Sequence, residues 1–214
     1  MGVLNVTGEL QLALDDMRVV SLLSPDYIRQ HERLFQNASV VVVDANLPRE
    51  TLRTIFSLAR KAKLPVCADP TSTTLAGKLL PYLNRIHLLT PNSAEAGKLT
   101  GKVFKAVQTR EAIQAAKQLV SDGARMVIIA MAAFGVCYAT SETSGYIQAI
   151  RTEIVDPTGA GDALTATVLF ALLNDIPIDD AVRLGVSAAS LTLRHRGAVL
   201  QDLSLEKLYD QLVI

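Results

Sequence analysis

Tryptophan is absent from this 214-residue chain, and aromatic residues of all kinds make up only 5% of it. Cysteine and histidine are scarce too, at two and three copies. Cys67 and Cys137 form no Cys-x-x-Cys pair, and His31, His87 and His195 are scattered. That spacing excludes a metal centre built from cysteine and histidine. Both cysteines fall in apolar, strand-like stretches, which predicts buried free thiols. An excess of one charge is also missing, since Lys and Arg total 21 and Asp and Glu total 21. No electrostatic footprint for nucleic acid or a membrane surface follows. No apolar run reaches the roughly 18 residues that span a bilayer. The first residues lack the charged and then apolar regions of a secretory signal. A cytoplasmic protein that binds neither nucleic acid nor membrane is the expectation. Gly-x-x-x-x-Gly-Lys-Ser/Thr occurs nowhere, which excludes a Walker-type nucleotide loop.

What remains is an apolar chain, 50% hydrophobic and rich in Ala, Leu and Val. Such a composition suits layered α/β proteins, and the length suits one domain with a substantial core. Residues 3–6 and 10–14 read as a hairpin around Thr7-Gly8-Glu9. Strands are expected over 40–43, 64–68, 86–89, 126–131 and 136–139, with one or two more in 146–155. Helices are expected from Ser24 to about 37, over 52–62, 73–83 and 109–121, and from Ala160, Asp179 and Ser204 onward. Strand–helix alternation with short connections predicts a mainly parallel sheet with helices on both faces. Ligands on such sheets bind at the carboxyl ends of the strands. Asp44, Asp69, Asn92 and the Asp156 turn all lie at such ends.

The segment Asp156-Pro157-Thr158-Gly159-Ala160-Gly161-Asp162 carries the most chemistry. Residues 153–155 read as the end of a strand, and the apolar spacing after the segment is helical. A glycine-rich turn into a helix start leaves backbone N–H groups unpaired beside the positive end of the helix dipole. Such a turn binds anions, phosphate above all. Asp162 in the same turn could take a proton from a hydroxyl beside that phosphate. The same residues also make an ordinary turn, and an acid in a first helical turn is favoured without any chemistry. A dinucleotide fingerprint would need Gly or Ala where Leu164 stands. Asn92 followed by Glu95 reads as a helix-capping box. Asp69, before Pro70, reads as a turn or N-cap residue.

The 156–162 segment resembles the Asp-Thr-Gly-Ala-Gly-Asp signature of the ribokinase-like (PfkB) carbohydrate kinase family. Pro157 stands for the commoner Thr, a variant of the pseudouridine-kinase-like branch. Ala68-Asp69-Pro70-Thr71-Ser72 and Ile86-His87-Leu88-Leu89-Thr90-Pro91-Asn92-Ser93-Ala94-Glu95-Ala96 support that branch. The resemblance runs from about Val3 to the C-terminus and implies a three-layer α/β fold in a single domain. Residues 1–18 would be a lid hairpin remnant and 19–214 the nucleotide-binding core. Members carry a further N-terminal third that grips the sugar, so the chain is expected to be N-terminally truncated.

The implied activity is ATP-dependent transfer to a primary hydroxyl of a sugar or nucleoside. Asp162 would be the base, and the amides around Gly159, Ala160 and Gly161 the anion hole. Thr158, Gly135, Ser187, Ser190 and Asn92 would lie on the nucleotide side. Glu95, in the family's Asn-x-x-Glu motif, and Asp69 would serve Mg²⁺. A monovalent cation such as K⁺ is implied near Asp156 and Gly197-Ala198. Where members show Thr-x-Gly-x-x-Gly, this chain has Ala130-Met131-Ala132-Ala133-Phe134-Gly135. The lost hydroxyl implies a cost of about 0.5–1.5 kcal/mol in nucleotide affinity. Two other readings stand beside the kinase: a binding or regulatory remnant, and an NAD-dependent oxidoreductase. Lost strands would also bare a sheet edge, so a homo-oligomer, or the missing segment as partner, is expected.

Overall fold

β-branched and apolar runs form the parallel centre of one sheet. In the computed structural model, which describes residues 2–4, 10–13, 16–102 and 107–212, six strands follow the order β3-β4-β5-β6-β7-β8. They are β3 Val41–Asp44, β4 Val66–Asp69, β5 Leu88–Leu89, β6 Met126–Ala130, β7 Val136–Thr140 and β8 Ser144–Ile147. The first four run parallel, with Val41 opposite Val66, Cys67 opposite Leu88 and Leu88 opposite Met126. The links to β7 and β8, residues 131–135 and 141–143, are too short for a parallel crossover of about a dozen residues. The sheet is therefore mixed but mainly parallel, as the alternation predicts. Separately, β1 Gly2–Leu4 and β2 Leu10–Ala13 pair antiparallel. The expected hairpin turn at Thr7-Gly8-Glu9 lies outside the described residues.

The chain divides into two compact units. One comprises Asp16–Met131 and Cys137–Gly145, the other Met1–Asp15, Ala132–Val136 and Tyr146–Ile214. In the first, α3 Arg49–Lys61 and α5 Thr109–Ser121 supply Leu52, Ile55, Phe56, Ala112, Ala116 and Leu119 to a core with Val66, Ala68, Val127 and Ile129. Each such large aliphatic side chain contributes about 1.5–3 kcal/mol by leaving water. Cys67 and Ile128 alternate onto the opposite face and are buried as well. The centre of the sheet is thus covered on both sides. The expected free, buried thiols are found, and burial pushes them up to about 12 for Cys67 and about 11 for Cys137. Among the described residues, no helix is long and apolar enough to cross a membrane.

Three expected elements take a different form. The helix from Ser24 breaks into α1 Pro25–Gln30 and α2 Glu32–Asn37. The carbonyl of Tyr27, which a continuous helix would give to the next turn, bonds the His31 ring Nδ1 at 2.8 Å instead. Residues 73–83 form no α-helix; 3₁₀ turns occupy Ala76–Lys78 and Leu80–Arg85. Pro81 has no N–H to give a regular helix. No strand extends past Ile147 to residue 155. Val155 and Asp156 instead donate their N–H groups to the carbonyl of Leu193 at 2.8 and 3.2 Å.

Candidate active site

In the unit holding the C-terminal helices, the 156–162 turn is built around one carboxylate. Asp156 Oδ1 accepts the Thr158 N–H at 2.9 Å, and Oδ2 accepts the Gly197 N–H at 3.0 Å. The Thr158 hydroxyl, these two amides and the Arg196 charge hold Asp156 below the usual carboxylate range. Gly159 follows with φ 82°, and a Cβ there would lie 2.0 Å from the carbonyl oxygen of Ala198. Only glycine fits both demands. The turn is thereby pressed against the 197–198 loop.

α6 Ala160–Leu173 starts at once, and its N-cap Gly159 has no side chain to close the end. Ala160 reaches the Pro157 carbonyl only at 3.5 Å, while Ala163 donates to Gly159 at 2.8 Å. The N–H groups of Gly159, Gly161 and Asp162 bond no described group. A Cβ on Gly161 would meet nothing within 4 Å. The Asp162 carboxylate, in the first turn of α6, is exposed. Unpaired amides, the helix dipole and open space favour an anion here, with a carboxylate beside it.

In the same unit, Gly135 has φ 96°, and a Cβ would meet the Ile147 carbonyl oxygen at 2.2 Å. Its glycine is thus required by the chain packed against it. Ala132, where a glycine is expected by resemblance, has φ 50°, a left-handed conformation costing about 1–2 kcal/mol in a residue with a Cβ. On α7 Ile178–Leu193 the two expected serines differ. Ser187 is fully buried and donates its hydroxyl to Leu208 in α8 Leu205–Leu212 at 2.8 Å. Ser190 is buried too, and its Oγ has no hydrogen-bond partner among the described residues.

The other unit holds Asp69, Asn92 and Glu95 at the carboxyl ends of β4 and β5. The capping box forms on α4 Ser93–Thr100: Asn92 Oδ1 accepts the Glu95 N–H at 3.0 Å, and Glu95 Oε2 accepts the Asn92 N–H at 2.9 Å. Glu95 is only 5% exposed. Burial pushes its pKa up, the Asp69 charge adds to this, and the bonds with Asn92 oppose it. Asp69 Oδ1 accepts the Thr71 N–H at 2.7 Å, and Oδ2 accepts the Thr90 hydroxyl at 3.4 Å. Lys78 has no counterpart in the sequence reading. Its ammonium donates to the carbonyls of Ala45, Asn46 and Leu47 at 2.9, 3.4 and 3.1 Å, fastening the loop after β3. Lys98 and Lys102 are exposed, as a solvated face requires.

Because the folded pKa of Glu95 lies above its unfolded value, its protonated form favours the fold. The stability it contributes is complete below the unfolded glutamate pKa and is lost as pH rises through the folded one. Glu95→Gln keeps an acceptor for Asn92 but carries no charge. The melting temperature of the variant minus that of the parent should therefore increase from acid to neutral pH. A difference flat with pH would show that burial of the charge is not the controlling effect.

With this geometry in place, residues 3–204 match the pattern of the pfkB family carbohydrate kinases. The chain belongs to this family. Pseudouridine kinase of Escherichia coli (strain K12) is 32% identical over 207 residues, covering 96% of this chain and 64% of that enzyme. The chain thus spans less than two thirds of the curated relative it matches there. A carbohydrate kinase from Agrobacterium tumefaciens superposes with TM-score 0.80 at 29% identity, over 99% of this chain and 67% of that one. Arabidopsis thaliana ribokinase, solved with ribose and ATP, gives TM-score 0.74 at 23% identity, over 86% and 59%. This last likeness concerns the fold alone. The family membership agrees with the resemblance read from the 156–162 and 86–96 segments.

Proposed function

We propose that this pfkB-family chain takes part in ATP-dependent phosphoryl transfer to a primary hydroxyl of a nucleoside or sugar, pseudouridine-like in type. The observation that carries the reading is the uncapped start of α6, where unpaired amides stand beside the exposed Asp162. In the reaction Asp162 accepts the proton of the attacking hydroxyl. The amides of Gly159, Gly161 and Asp162 stabilise charge on the transferring phosphoryl group. On the nucleotide side, Ser190 has a buried hydroxyl without a partner among the described residues, and Thr158 lies in the anion turn.

Among the described residues, no group of three or more His, Cys, Asp or Glu side chains could hold a metal. Magnesium needs less, since it keeps several waters and takes one or two carboxylates. Glu95 and Asp69, close enough for the charge of one to raise the pKa of the other, suit it as an oxygen donor pair. When bound, magnesium neutralises phosphate charge. Glu95 holds its carboxyl in place through the Asn92 amide, and Asp69 through Thr71 and Thr90.

The test is transfer of labelled γ-phosphate from ATP·Mg to pseudouridine, uridine and ribose. Turnover on at least one acceptor is expected. A second reading, a non-catalytic binding protein, is favoured by Ala130 and by the strained Ala132. Saturable ATP binding with no turnover on any acceptor would select that second reading and reject the first.

A further inference from the structure

At the amino ends of β4, β5 and β6 lies an open groove of about 410 Å³, at the opposite end of these strands from Asp69 and Asn92. We propose that this groove is a second binding site, taking a small phosphorylated anion such as a nucleoside or sugar phosphate. The inference does not depend on the proposed kinase activity. The four residues of β4 and five of β6 separate the two ends by roughly 10–13 Å.

Pro65 and Ile86 line the groove, and Lys63, Arg85 and Arg125 ring it. All three cations are exposed, and none has a carboxylate within ion-pair distance among the described residues. No acidic residue lines the groove. The charge is therefore of one sign locally, although the whole chain is neutral. His87 joins them, half-buried, with its pKa lowered by burial and by the Arg125 charge. Converging cations without a counter-ion repel one another, and a bound anion removes that repulsion.

Lys63 adds an independent mark. It follows α3 directly after the cap residue Ala62 and has φ 57°, in the left-handed position that glycine usually takes after a helix. A side chain with a Cβ is disfavoured there, yet the position carries a cation that lines the groove. The volume suits a small ligand, since such pockets measure about 300–1,000 Å³. No Phe, Tyr or Trp lines the groove to stack on successive bases, which argues against a nucleic-acid strand.

The test is a titration of the ¹⁵N-labelled full chain with inorganic tripolyphosphate, followed by amide shifts. Saturable shifts at Lys63, Arg85, His87 and Arg125 are expected, weakening with added salt. Arg85→Glu with Arg125→Glu should lower the affinity by about tenfold or more per arginine. Arg85→Gln and Arg125→Gln, made singly, replace the double variant should it fail to fold. A nucleoside diphosphate and a sugar phosphate form the second arm, and a short single-stranded oligonucleotide the third. Binding of either small ligand at the groove supports the proposal, and preference for the oligonucleotide overturns it. Shifts confined to residues 158–162, or affinity unchanged in the arginine variants, overturn it as well. Shifts at 158–162 report separately on the α6 site, so the two proposals fail by different signals.

Discussion

Asp162→Asn is expected to lower the turnover of phosphoryl transfer by about 10²–10⁴ while leaving the fold intact. The side chain lies exposed in the first turn of α6 and makes no hydrogen bond to a described group. Asparagine has the same size and keeps a polar tip, so packing does not change. What the protein loses structurally is one favourable interaction with the helix dipole, about 0.3–1 kcal/mol. For a chain of this size that is at most about 2–4 °C in melting temperature. What it loses chemically is the turn's uncommitted carboxylate, since both oxygens of Asp156 are engaged by the Thr158 and Gly197 amides. The KM for ATP should stay within a few-fold of the parent, because the amides proposed to face the phosphate are unchanged. A variant with full turnover would remove Asp162 from the mechanism, whatever the fate of the anion site. Titration with NAD beside ATP·Mg tests the oxidoreductase reading, which Leu164 already opposes by standing where a dinucleotide fingerprint has Gly or Ala.

Elements with strong periodicity were legible from the residues alone. α5 occupies the expected 109–121, because Ile113, Ala116 and Val120 recur at helical spacing and all three pack in or against the core. The parallel centre of the sheet was legible for the same reason, since strands buried on both faces read as continuous apolar runs. What escaped depends on particular bonds. Nothing in the spacing of residues 24–37 shows that the His31 ring takes the Tyr27 carbonyl. Ile154 and Val155 look like strand residues, yet both are about half exposed, and Val155 is held by the end of α7 rather than by a neighbouring strand. At the candidate site the glycines announced a tight turn into a helix start, and Asn92 with Glu95 announced a cap. Lys78 gave no signal, because its partners are carbonyls 31 to 33 residues upstream. The basic groove was equally silent, since Lys63, Arg85 and Arg125 come together only when three strands align at their amino ends.

A paired substitution separates the shape of the α6 turn from its chemistry. Gly159→Ala is expected to abolish anion binding at the turn and to destabilise the protein by well over the roughly 1–2 kcal/mol that a left-handed residue with a Cβ costs. The new methyl would sit 2.0 Å from the Ala198 carbonyl oxygen and 2.7 Å from its carbon. These are backbone atoms, which cannot swing aside as a flexible side chain would. Either the 197–198 loop or the turn has to move, and the Gly197 amide then leaves Asp156 Oδ2. Gly161→Ala makes the opposite test, because its Cβ would enter open space. Inside the first helical turn the change should be neutral or stabilising by about 0.5–1 kcal/mol. If a phosphate approaches the Gly161 amide, that harmless methyl occupies its path, and transfer should fall while the melting temperature holds or rises. Thermal melts and ATP titrations of both variants check the pair. Normal ATP affinity and turnover in Gly161→Ala would mean that the open space before α6 is not where the phosphate passes.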